Sequence, residues 1–115
     1  QETKKEMKDA PLEFASNIKR LKEMYDLIKI TFSSSFKRAF KKKIKGKQNI
    51  ENKFWEKVDI FLKNPFDAQL RTHKLSGKLE ELWSFSIDYD VRVIFYFLEK
   101  DKAVFVDTGK HDEVY

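Results

Sequence analysis

The stretch Val-Arg-Val-Ile-Phe-Tyr-Phe, residues 91–97, constrains the fold more than any other. Val91, Val93, Phe95 and Phe97 alternate with Arg92, Ile94 and Tyr96, which is the two-residue period of a β-strand. A strand needs paired neighbours and something to cover its apolar face. The neighbouring sequence offers both. Residues 79–87 (LEELWSFSI) carry strand formers, and DYD at 88–90 reads as a turn. Residues 98–103 hold another turn, and AVFVDT at 103–108 is a last strand. Three consecutive strands with short turns imply an antiparallel meander.

Upstream of Pro65 the period is different. LIKITF (27–32) alternates Ile28, Ile30 and Phe32 with Lys29 and Thr31 and reads as a strand. The serines at 33–35 offer an N-cap, and a helix follows through Phe36, Ala39 and Phe40, with Gly46 as its stop. A second helix runs from about Ile50 to Leu62, with Ile50, Phe54, Val58, Phe61 and Leu62 on one side. NPFD at 64–67 ends it, because the residue before a proline disfavours the α region. Nearer the start, Leu12, Ala15, Ile18, Leu21 and Tyr25 recur at spacings of three and four, the stripe of a further helix after Pro11. The expected class is α+β: a β-α-α-β-β-β domain over 28–115, an antiparallel sheet with helices packed on one face, and an N-terminal extension helix within 1–27.

Composition bounds the chemistry. The chain has 115 residues, enough for one domain, and 41% are apolar, enough for one modest core. Eleven phenylalanines and two tryptophans supply much of the expected buried area. Without cysteine there is no disulfide or thiolate chemistry. The two histidines and the carboxylates show none of the usual metal-ligand spacings, so neither metal nor cofactor is expected. No run of about 18 apolar residues offers a membrane span, and the polar start is unlike a signal peptide. The expectation is a soluble, cytoplasmic protein. The first residue is not Met, which points to a fragment or a processed chain.

The net charge of +5 is unevenly spread. From Phe36 to Lys47 the chain holds Lys37, Arg38, Lys41, Lys42, Lys43, Lys45 and Lys47 and no acid. Such a face binds polyanions through counterion release without reading sequence, although a solvated helix face has the same composition.

Three stretches resemble one family. They are FSSSFKRAFKK, then NPFDAQLRTHKLSGKLEELWSFSIDYDVRVIFYF, then VFVDTGKHDEVY. In this order they resemble the RelE/ParE toxin superfamily, closest to the RelE/YoeB/YafQ-type mRNA interferases of type II toxin–antitoxin systems. HKLSGKLEELW is the most specific element. The resemblance covers about residues 28–115. It leaves 1–27 as a natural extension, an antitoxin-like segment or an expression-derived addition. It implies a ribosome-dependent endoribonuclease that inhibits translation, with a cognate antitoxin, the ribosome and mRNA as partners. Two alternatives share the fold: a ParE-like gyrase inhibitor and a catalytically silent binding module.

Metal-free RNA cleavage uses the ribose 2′-OH as nucleophile on the adjacent phosphate. A base must take its proton, an acid must protonate the 5′ oxygen, and cations must offset the phosphorane charge. Histidine suits the proton transfers and arginine the phosphate. By resemblance, His73 falls at the catalytic His or Glu of such toxins, His111 at their C-terminal His, Tyr115 at the aromatic after it, and Asp90 at an Asp near the site. Arg92 is the expected transition-state cation. Each has a plainer alternative: a loop His for His73, an exposed strand Arg for Arg92, a turn residue for Asp90. Lys37, Arg38, Lys41, Lys42, Lys43 and Lys45 would bind RNA backbone, as would Arg71, Lys74 and Lys78 beside His73. Relatives carry further basic or His residues in the strand after the Trp, where this chain has Phe85 and Ser86. That departure implies greater reliance on His73, Arg92 and His111. Trp83 is expected in the core, and Asp112 and Glu113 as solvated tail acids.

Overall fold

The computed structural model describes residues 27–77 and 81–115. The helix expected at 12–25 and Lys78 lie outside them. Strand β1 spans Lys29–Phe32. Ser33 caps helix α1 (Ser34–Lys43), its side chain accepting the Phe36 N–H. Gly46, at φ +86°, takes the left-handed turn that separates α1 from helix α2 (Gln48–Lys63). A single 3₁₀ turn, Ala68–Leu70, follows and is capped by the Asp67 side chain. It leads into the two-residue strand β2, His73–Lys74. The meander is β3 (Trp83–Ser86), β4 (Val91–Glu99) and β5 (Lys102–Lys110). A one-turn helix α3, His111–Val114, ends the chain.

The α+β class holds, with the sheet order β1-β5-β4-β3-β2. The sheet is mixed rather than antiparallel throughout. Strands β2 to β5 pair antiparallel, but β1 lies parallel to β5, with Lys29 opposite Lys102 and Phe32 opposite Phe105. Short turns force antiparallel neighbours, whereas the long passage from β1 to β5 through both helices permits a parallel pair. Both ends of β1 are tied in: Lys29 N–H donates to Asp101 O, and Ser33 N–H to Phe105 O.

One face of the sheet carries the helices. Phe36 and Phe40 of α1, and Phe54, Val58, Phe61 and Leu62 of α2, are buried against Phe85, Val93, Phe95 and Phe105. Phe61 is the hub, with its ring 5.0–5.3 Å from those of Phe85, Phe95 and Phe105. Edge-to-face and tilted pairs of this kind add about 0.5–1.5 kcal/mol each beyond their buried area. Trp83 packs against Phe66 and Phe97 at the margin of this core, as expected. The other sheet face, bearing Ser84, Ser86, Arg92 and Ile94, is the one on which the candidate site is built.

Candidate active site on the face opposite the helices

Strand alternation decides which residues can meet. His73 is the direct ladder partner of Ser84, and Ser84 of Ile94, so all three share one face. Ser86 pairs with Arg92 on that same face, and Arg92 with Gly109. Phe85 points the other way and is fully buried in the core. The strand after Trp83 therefore offers the site Ser84 and Ser86, not Phe85. This corrects the grouping of Phe85 with Ser86 as site positions. The apolar–polar alternation of WSFS already carries that information.

The tail completes the arrangement. The last strand, expected over 103–108, runs further: β5 continues to Lys110 before the chain turns into α3. His111 N–H donates to the Asp90 carbonyl at 2.9 Å. The Tyr115 hydroxyl donates to Ser84 Oγ, a side chain with no exposed surface. The His111 and Tyr115 rings meet edge to face at 4.3 Å. Ser84 is thus approached from both directions, by His73 across the ladder and by His111 through Tyr115.

Glu113 supports this docking: it is exposed, as expected of a tail acid, but it is also bonded to the tail's own backbone. Its Oε1 accepts the Lys110 N–H at 2.7 Å and lies 3.9 Å from Lys43 Nζ. The pattern is half of a capping box, in which a Glu three residues into a helix reaches back to the cap N–H. Gly109 leaves the room: a Cβ there would meet Glu113 Oε1 at 2.7 Å and Lys43 Cδ and Nζ at 3.0 Å, with φ at +154°. Lys43 therefore clamps the tail, whereas Lys37, Arg38, Lys41 and Lys42 hold exposed positions on α1 and Lys45 one in the turn after it. The clamp joins the basic helix directly to the candidate site.

The remaining candidates are placed as follows. His73 is exposed, its Nδ1 3.0 Å from the Arg71 carbonyl, which leaves Nε2 facing outward. Arg92 is half-buried and donates Nη1 to the carbonyls of Asp88 and Tyr89 at 3.2 and 3.1 Å. In this structure its guanidinium thus braces the β3–β4 turn. Asp90 contributes its carbonyl to the tail while its side chain is exposed. Asp88, beside it, has its carboxyl held below the ordinary value by the Tyr89 backbone N–H and then by Lys53, whose ammonium is 3.1 Å away. Lys74 pairs with Trp83 and so lies on the opposite face from His73, exposed at the sheet edge. Among the described residues, no three His, Asp or Glu side chains gather where they could hold a metal ion.

A sequence profile of the family described as "Bacterial toxin of type II toxin-antitoxin system, YafQ" matches residues 28–115. The chain belongs to the YafQ toxin family. Solved structures agree on the fold. YafQ from E. coli strain BL21(DE3) superposes with a TM-score of 0.62 at 20% identity, covering 76% of this chain and 98% of that one. A copper-bound mutant toxin from Helicobacter pylori has a TM-score of 0.56 at 25% identity, covering 76% and 99%. The E. coli DinJ–YafQ toxin–antitoxin complex has a TM-score of 0.60 at 18% identity, covering 76% and 97%. No curated protein matches the chain in sequence. Among the described residues, no helix is long and apolar enough to cross a membrane.

Proposed function

We propose that the protein is the toxin of a type II toxin–antitoxin pair and acts in the cytoplasm as a ribosome-dependent mRNA endoribonuclease. The observation that carries this reading is the placement of His73 and the His111–Tyr115 pair around Ser84, on the sheet face opposite α1 and α2. Two imidazoles flanking one position of the sheet are the minimum for a base and an acid acting on a single phosphodiester.

His73, held by the Arg71 carbonyl, takes the 2′-OH proton. The alkoxide attacks the adjacent phosphorus, forming the 2′,3′-cyclic phosphate. His111 protonates the departing 5′ oxygen. Arg92, released from part of its bracing of the turn, supplies charge to the phosphorane. Tyr115 contacts the substrate, and Asp90 fixes the tail through its carbonyl. Lys37, Arg38, Lys41, Lys42 and Lys45 meet ribosomal RNA backbone, and Arg71 and Lys78 meet the message, while Lys74, on the other sheet face, does not. A cognate antitoxin, like the partner in the DinJ–YafQ complex, restrains the activity.

The test is in vitro translation with cut sites mapped on the message. Codon-phased cleavage by the wild type, lost in His73→Ala and in His111→Ala, is the expected result. Wild-type protein that leaves the message whole would sink the reading. Gyrase inhibition in the same preparation would then point to the ParE-like alternative, and neither activity to a binding module.

A further inference from the structure

Beside the candidate site runs a second concavity, a groove of about 510 Å³ lined by Lys53, Lys57, Arg71, Ser86, Asp88 and Tyr89 among others. It exists because β2 is so short. β2 covers β3 only at Trp83 and Ser84, so the edge of β3 at Ser86 is uncovered. Ile87 N–H donates to Val91 O across the β3–β4 ladder. By the alternation of an antiparallel ladder, the backbone N–H and C=O of Ser86 point away from β4, into the groove. They form a donor–acceptor pair of the kind that reads a base edge.

The walls supply the rest of a nucleotide site. Tyr89 is 90% exposed at the rim, an aromatic face with no core to pack in. Arg71 also lines the groove, in the left-handed conformation at φ +53°. Lys57 donates to the Gln69 carbonyl at 3.3 Å, and Lys53 is paired with Asp88. With that pair self-neutralised, Lys57 and Arg71 exceed the groove's other acid, Glu56, by one positive charge. Both walls are also bonded to candidate catalytic residues. The Arg71 carbonyl meets His73 Nδ1, and the carbonyls of Asp88 and Tyr89 meet Arg92. The groove therefore adjoins the candidate site through both walls.

We infer that the groove between α2 and the β3–β4 turn is a subsite for a single-stranded RNA nucleotide flanking the scissile phosphate. Tyr89 stacks on the base, and Arg71 and Lys57 hold its phosphate. The inference rests on the RNA-cleaving reading above and assigns that site's next nucleotide contact.

The probe is a fluorescein-labelled 2′-O-methyl octaribonucleotide, which lacks the nucleophile and is not cut. Its anisotropy is measured against the full chain across a salt series. Tyr89→Ala is expected to weaken binding roughly tenfold without altering the salt slope, and Tyr89→Phe to bind as wild type. Arg71→Gly, which suits φ +53°, should lower the salt slope by about 0.7. Tyr89 is exposed, so unaltered melting is expected in both Tyr89 variants. Equal affinity in Tyr89→Ala and wild type overturns the subsite, as does a wild type that does not bind the probe. The two readings separate cleanly. A wild type that binds through Tyr89 yet cuts no message upholds the groove and refutes the nuclease. A wild type that cuts while Tyr89→Ala binds normally refutes the groove alone.

Discussion

Replacing Glu113 with alanine should undock the tail without unfolding the sheet. The Lys110 N–H to Glu113 bond is short, at 2.7 Å, and charge-assisted, a class worth about 1.5–3 kcal/mol net. The Glu113 side chain is 45% exposed, so the lower end applies. The Lys43 ion pair, at 3.9 Å, adds only a few tenths to about 1 kcal/mol at such exposure. Together these give a loosening of about 2 kcal/mol, roughly a thirtyfold rise in the population of undocked tail. The assay is amide hydrogen exchange resolved by residue. Protection at Lys110, His111 and Tyr115, whose N–H groups bond to Glu113, Asp90 and His111, should fall roughly thirtyfold. Amides of β4 should be unaffected, because the core does not involve Glu113. Glu113→Gln keeps a neutral acceptor and should recover about half of the lost protection. Unaltered tail exchange in Glu113→Ala would refute the clamp. So would an equal loss across β4, which would make Glu113 part of the global fold.

Four other outcomes follow from the same geometry. Gly109→Ala should cost about 1–3 kcal/mol in denaturant unfolding, since φ +154° is an angle few side chains adopt, and its Cβ would push aside the Glu113 and Lys43 side-chain ends; wild-type stability would contradict that strain. Phe61→Ala removes a fully buried ring touching three others and should lose about 3–5 kcal/mol, read as a lowered denaturant midpoint. Asp88 has a lowered folded pKa, so its contribution is present above the unfolded value of 3.8 and is lost as pH falls through the folded one. The stability gap between wild type and Asp88→Asn should therefore close as the pH drops from 6 through the carboxylate range. Reversing Lys41 and Lys42 to Glu should flatten the salt dependence of ribosome binding while sparing Lys43, whose reversal would also disturb the tail.

The sequence alone established the elements. Strand period in 91–97, the Ser33 cap, the apolar stripe of α2 and the breaker at Asn64–Pro65 are local properties, set by side-chain direction and backbone sterics within a few residues. The candidate residues His73, Arg92, His111 and Tyr115 were legible for a different reason: a spacing of motifs that resembles a toxin family, later matched over residues 28–115. What stayed hidden depends on pairs far apart in the chain. The parallel place of β1 against β5 needed the long helical passage to be folded back. Ser84 mattered only once Tyr115, 31 residues later, had closed on it. Glu113 became a clamp as well as an exposed tail acid because Gly109 opens a space that Lys43, from α1, also enters. A carboxylate's role is set by the donors around it, and in a tail those donors come from whichever elements the fold brings alongside.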